Sequence, residues 1–213
     1  MKSSPLVLYK KLYRRFGPQH WWPAKNAFEV MVGAILTQNT AWANVEKAIA
    51  NLKKAKALEA RKLNALSSKR LARLIRPAGY YNIKAARLKC YLRFMLDIYG
   101  GSVRRMSIVP EDTLRRELLS IKGIGPETAD SILLYALNKP VFVVDAYTKR
   151  IFSRHGYFDE GAGYEEVQGF FTRKLKKDVK LFNEYHALIV ELGKSFCRKS
   201  KPRCSECPLK DDK

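Results

Sequence analysis

Residues 118–152 read LLSIKGIGPETADSILLYALNKPVFVVDAYTKRIF, and the fold turns on how this stretch is parsed. It holds an apolar segment, a turn with two glycines, a second segment with helical spacing, and an apolar run that ends on a single acid, Asp145. Gly123 and Gly125 bracket Ile124, and glycine alone reaches the positive-φ conformations of a tight turn without steric cost. Leu118 and Leu119 precede the turn, while Ala129, Ile132, Leu133 and Ala136 follow it at helical intervals, so the pattern predicts a helical hairpin. The amides of Ile124 and Gly125 fall where the second helix starts. A helix start presents unpaired N–H groups and a partial positive charge, which suits a phosphate without any side chain. Such a contact is blind to nucleotide sequence.

Taken alone, Gly-x-Gly is an ordinary helix–helix turn. The second half of the stretch changes the weighing. Val141, Phe142, Val143 and Val144 form a buried-looking run, residues 146–153 resume a helical pattern, and Asp145 stands at the junction in the position of an N-cap. A carboxylate fixed at a helix start is rigid, ionised and aimed outward, so a capping role and a chemical role are compatible.

The hairpin, the connection Asn138-Lys139-Pro140 and the pair Val144-Asp145 together resemble the helix-hairpin-helix base-excision DNA glycosylases of the endonuclease III superfamily. The resemblance runs over nearly the whole chain. It implies an all-α fold of two helical lobes with a DNA-binding cleft between them. One lobe, 22–137, would end in the helix-hairpin-helix, and the other would join 1–21 to 138–213 with its C-terminal cysteine loop. On this layout Lys122, Gly123, Ile124 and Gly125 anchor the DNA backbone, Asp145 is the catalytic carboxylate, and both face the cleft. Bifunctional members carry a nucleophilic lysine shortly after the second glycine; the matching residue here is Glu127. A carboxylate cannot form the Schiff base that leads to strand cleavage. The chain therefore resembles a monofunctional glycosylase.

Charge agrees with a polyanionic partner. The 213 residues carry 41 Lys and Arg against 20 acids, a net charge of +21. No apolar run approaches the length needed to span a bilayer, and Leu6 to Leu8 lacks the pattern of a secretory signal. The expectation is a monomeric, cytoplasmic protein, nucleoid-associated if prokaryotic, acting on double-stranded DNA with a damaged base and on no membrane.

Outside the central stretch, residues 5–16 predict an opening helix stopped by Gly17-Pro18. Trp21, Trp22 and Pro23 follow, outside any periodic pattern; they read either as a hydrophobic clasp between helices or as an aromatic wall for a base pocket. Residues 28–36 form an apolar helix that ends in Thr37-Gln38-Asn39-Thr40-Ala41-Trp42. That run reads as a loop, with Thr40 capping the next helix. In the family this turn carries a Gln that fills the gap left by an extruded base, and Gln38 holds that place. Filling offsets part of the unstacking cost, a few kcal/mol. Trp42 could stack on the extruded base if the helix has begun by Gln38. Along residues 83–99, Lys84, Arg87, Lys89 and Arg93 make a basic side, read mainly as a solvated face. His186 and Lys194 are spaced to share one face of the last helix, in core or surface roles.

The tail carries Cys197-x6-Cys204-x2-Cys207, and thiolates are the usual ligands of iron–sulfur clusters. The superfamily's iron–sulfur loop places a fourth cysteine where this chain has Lys213. The resemblance implies a possible [4Fe-4S] cluster with an incomplete set of ligands. A metal-free loop and a zinc site completed by water remain open.

The Trp-Trp-Pro stretch, the Gln-Asn-Thr turn and the absent lysine look like the 3-methyladenine DNA glycosylase branch. The expected reaction is hydrolysis of the N-glycosidic bond of flipped-out alkylated purines in base excision repair. Two alternatives stand beside it. One is an endonuclease III-like glycosylase for oxidised, deaminated or mispaired bases, for which Asn39 and Tyr147 are the few polar pocket candidates. The other is a non-catalytic DNA-binding module, which would need neither Asp145 nor Gln38.

Overall fold

The computed structural model describes residues 2–21 and 26–212. Trp22 and Pro23 therefore lie outside the described residues, as does the lysine at position 213. The described residues form helices and connecting turns, with no strand among them. The chain divides into two compact units, Met1–Pro23 with Pro140–Lys213, and Ala24–Lys139.

The Ala24–Lys139 unit is built around α2 (Ala27–Leu36), whose residues from Phe28 to Leu36 are all buried. A helix that is apolar on every side must be covered on every side. The covering helices are α3 (Trp42–Lys54), α6 (Tyr81–Tyr99) and α9 (Pro126–Ser131), the last continued by a π-helical turn over Ile132–Ala136. The short helices α4 (Ala60–Ala65) and α5 (Ser68–Leu74) pack on α6. Beyond α6 lie α7 (Val103–Ser107) and α8 (Glu111–Ser120), and α8 pairs with α9 as the hairpin.

An ion pair ties the hairpin together. Arg115 on α8 donates from Nε to Asp130 Oδ1 at 2.6 Å and from Nη2 to Oδ2 at 3.1 Å. Asp130 is 0% exposed, so its carboxylate depends on partners inside the protein. In the turn, Ile124 N–H donates to the Ile121 carbonyl at 3.0 Å, and both isoleucines are buried. Of the two glycines, only Gly123 needs its missing side chain for backbone reasons, at φ +91°. Gly125 is the extended N-cap of α9, at φ −98° and ψ 177°. The Ile124 amide is thus used to close the turn.

The second unit contains α1 (Pro5–Phe16), α10 (Ala146–Arg154), α11 (Tyr164–Thr172) and α12 (Val179–Ser195). Helices α1 and α10 both pack on α12. Its core is aromatic. Phe142 stacks on Phe171 at 4.1 Å between centroids and meets Phe182 and Tyr185 edge-on, at 5.4 and 5.7 Å. Edge and offset contacts of this kind add about 0.5–1.5 kcal/mol each beyond area burial. Tyr185 also donates its hydroxyl to the Pro5 carbonyl at 2.9 Å, fastening α1 to α12. The run Val141 to Val144 is buried outside any helix, and it delivers Asp145 to the start of α10.

Candidate active site and nucleic-acid interface

Asp145 caps α10 within a capping box. Its Oδ1 accepts from the Thr148 backbone N–H at 2.7 Å and from the Thr148 hydroxyl at 2.8 Å. Its other oxygen, Oδ2, faces His186 Nε2 on α12 at 3.5 Å. The two side chains are 11% and 7% exposed. Burial by itself would raise the carboxyl pKa, but the His186 ring and the Thr148 hydrogen bonds outweigh it and hold Asp145 below its ordinary 3.8. The result is a rigid, ionised carboxylate.

Trp21 completes this cluster. Its ring meets His186 edge-on at 6.3 Å, and Lys194 Nζ lies 5.4 Å from its centroid. His186 and Lys194 do share a face of α12, and that face carries Trp21 as well as Asp145. Sequence reasoning left His186 as a core or surface residue; the contact that gives it a part in the site joins positions 145 and 186, which no local pattern reports. Tyr147 packs on Gly193 so closely that a Cβ there would overlap its ring, and Arg150 lies over its other side at 4.9 Å. Arg150 also donates to the Cys197 and Gly193 carbonyls. Tyr147 is thus a packing element between α10 and α12.

In the Ala24–Lys139 unit the loop after α2 departs from two expectations. Thr40 does not cap α3; the N-cap is Ala41, without a side-chain bond. The Thr40 hydroxyl instead donates to the Ala78 carbonyl at 2.6 Å. Helix α3 begins at Trp42, so Gln38 precedes it and the two do not share a helical face. Trp42 is half-buried, with its indole N–H on Glu46 Oε1 at 2.9 Å. Gln38 Nε2 donates to the Gly123 carbonyl at 3.0 Å and to Thr128 Oγ1 at 2.9 Å, and Gln38 Oε1 accepts from Arg87 Nη1.

The basic side of α6 is only partly solvated: Arg93 is exposed, Arg87 and Lys89 are half-buried, and Lys84 is buried. Lys84 is 1% exposed and donates to the Leu36 and Ala78 carbonyls, each at 2.7 Å, and to the Thr40 hydroxyl. Burial, with Arg87 nearby, lowers its pKa to about 8. Lys89 donates to the Asn64 and Leu66 carbonyls. Beside them Tyr80, 71% exposed, holds a left-handed backbone at φ +44°. A bulky residue held there is a strained feature of the kind that collects at functional sites. The adjacent Gly79, in the loop broken by Pro77, was the available sequence signal for an unusual turn.

Cys197, Cys204 and Cys207 line a cavity of about 200 Å³ together with Arg154, Arg203 and Lys210. Among the described residues, no three His, Cys, Asp or Glu side chains are grouped to hold a metal ion. Arg154 Nη1 lies 3.6 Å from Cys197 Sγ and donates to the Arg198 carbonyl, while Nη2 donates to the Lys199 carbonyl. The tail supplies three thiols and no fourth cysteine, one short of the ligands of a four-cysteine cluster. The tail is fastened by polar contacts: Asp212 accepts from Lys11 Nζ at 2.6 Å and from the Ser3 hydroxyl, and its carbonyl meets His155 Nδ1 at 3.2 Å.

The chain has clear relatives. A candidate DNA repair glycosylase of Methanocaldococcus jannaschii is 54% identical over 96% of this chain and 93% of that protein. Endonuclease III of Thermotoga maritima is 30% identical over 96% and 89%. The crystal structure of an H. pylori 3-methyladenine DNA glycosylase bound to 1,N6-ethenoadenine superposes with a TM-score of 0.77 and 31% identity, covering 90% of this chain and 98% of that one. Residues 32–177, from within α2 to beyond α11, match the family described as HhH-GPD superfamily base excision DNA repair protein. With the hairpin, the capped Asp145 and these likenesses in view, the chain belongs to the HhH-GPD superfamily and is a DNA repair glycosylase of that family.

Proposed function

We propose that the protein is a monofunctional glycosylase that hydrolyses the bond between deoxyribose and an alkylated purine, such as 3-methyladenine, flipped out of duplex DNA. The observation that carries the reading is Glu127, exposed in the first turn of α9, where a bifunctional enzyme of this family would present its lysine. With no amine at that position to trap the sugar, water is the nucleophile.

Breaking the base–sugar bond builds positive charge on the sugar. A buried, ionised Asp145 beside that carbon stabilises the transition state more than the ground state, and it can accept the proton of the attacking water. Alkylation at a ring nitrogen leaves the base cationic and a good leaving group, so little acid catalysis is needed. A flat cation is attracted to aromatic faces by up to about 2 kcal/mol when desolvated. Trp21, held against His186, is one such face; Trp22 and Trp42 are the other candidates. Support also comes from the 31% identity to a glycosylase named for 3-methyladenine. The Gly123–Gly125 turn would take the phosphate backbone and Gln38 the gap in the duplex.

The likeness to endonuclease III of Thermotoga maritima supports a second reading, release of oxidised, deaminated or mispaired bases. One experiment separates them: methylated duplex DNA and duplexes carrying oxidised pyrimidine or uracil, with released base and strand breaks scored separately. The expected result is methylpurine release without breaks, reduced about 10²–10³-fold in Asp145→Asn. Breaks at oxidised pyrimidines would overturn both the substrate class and the monofunctional assignment.

A further inference from the structure

Gln38, read above as the residue that fills the duplex, already has partners within its own unit. Both N–H bonds of its amide are engaged, one by the Gly123 carbonyl in the hairpin turn and one by the Thr128 hydroxyl in the first turn of α9. An amide nitrogen has only two hydrogens to donate, so no donor remains for a base. The amide oxygen accepts from Arg87 on α6. Arg87 in turn lies across the hairpin turn, where a Cβ at Gly123 would overlap its side chain. Glycine is needed at 123 twice over, for its φ and for this passage of Arg87. One turn earlier on α6, Lys84 fixes the backbone of the same loop through the Leu36 carbonyl and the Thr40 hydroxyl. The Gln38 side chain thus belongs to a hydrogen-bonded cluster shared by loop, helix and hairpin.

We propose that Gln38 is a strut of the hairpin turn in the DNA-free protein and that Arg87 and Thr128 are positioning residues for it, so that delivery of Gln38 into a duplex is coupled to the state of the backbone-binding turn. A finger serving only to fill a gap would have no reason to hold the turn. A side chain that must leave Gly123 and Thr128 before it enters DNA makes extrusion answerable to how the hairpin is seated. The proposal rests on the reading of Gln38 as the duplex-filling residue.

The test is a double-mutant cycle on the full chain, Gln38→Ala with Thr128→Val. Affinity for an undamaged duplex is one readout. The other is extrusion, followed by the fluorescence of a 2-aminopurine placed opposite an abasic analogue. Thr128→Val is expected to weaken undamaged-duplex binding by about two- to tenfold, the worth of one hydrogen bond, and Gln38→Ala, which removes three, by at least as much. The double variant should be no weaker than Gln38→Ala alone, and Thr128→Ser, which keeps the hydroxyl, should restore binding. Extrusion should fall in Gln38→Ala. Undamaged-duplex affinity unchanged by Gln38→Ala, additive losses, or no rescue by serine would overturn the strut. Non-additive binding with extrusion untouched would overturn the coupling. None of these readouts uses base release, so a wrong substrate class would leave them interpretable. Circular dichroism melts of each variant separate loss of the turn from loss of the fold.

Discussion

Asp145 satisfies two demands with two oxygens. Oδ1 caps α10 through Thr148, and Oδ2 is left toward His186, against whose ring Trp21 packs. The cap makes the carboxylate immobile, and the histidine keeps it ionised although it is buried. Because its pKa is depressed in the folded state, Asp145 contributes stability that is present above the unfolded value near 3.8 and is lost as pH falls through the lower folded value. The acid limb of kcat/KM should therefore lie below the ordinary aspartate range. In His186→Gln that limb should move to higher pH, since the group that lowers the carboxyl pKa has gone, while the Thr148 bonds persist. A histidine that served only as packing would reduce the rate and leave the limb where it was. Of these groups Asp145 was legible in sequence, because an acid between an apolar run and a helical pattern is a local signal. His186 was not, because its role exists only once α12 is laid on α10.

The elements divide in the same way. The bounds of α1 and α2 follow from apolar spacing with a glycine or polar stop, and the hairpin follows from its two glycines. The basic stripe of α6 was misread. Charge on a helix face is ordinarily solvated, but Lys84 meets oxygens from positions 36, 40 and 78, an arrangement set by tertiary packing and invisible to periodicity. The cysteine tail shows the converse, a strong spacing signal whose ligand set is not assembled among the described residues. Here Asp212, joined to Ser3, Lys11 and His155, fastens the segment. Protein purified without oxygen should lack the visible charge-transfer absorbance and stoichiometric iron of a cluster, and a chelator should leave its thermal midpoint unchanged. Asp212→Ala should lower that midpoint by about 2–12 °C, the loss of about 1–3 kcal/mol at this chain length. Stoichiometric iron with acid-labile sulfide would sink this account of the tail.

For the molecule as a whole, a net charge of +21 states that DNA is attracted but overstates how many cations can meet phosphate. Lys84 and Lys89 donate to protein carbonyls, as do Arg150 and Arg154, and Arg115 is paired with buried Asp130. These groups add to the long-range potential that steers association, yet part of their N–H donor capacity is already engaged within the protein. Counterion release counts phosphates neutralised at the interface, with log K falling against log salt at about 0.9 per phosphate on duplex DNA. The slope for an undamaged duplex should thus correspond to about 6–10 phosphates, well short of the net charge, with a loss of about 10³–10⁵-fold in affinity between roughly 50 and 200 mM salt. Charge reversal at Lys122, exposed in the hairpin turn, should reduce the slope by about one phosphate and weaken all sequences alike. A slope near zero would remove backbone binding from the account. A slope near the full net charge would mean a diffuse ion atmosphere in place of a defined footprint, and the hairpin would then have no special claim on the DNA.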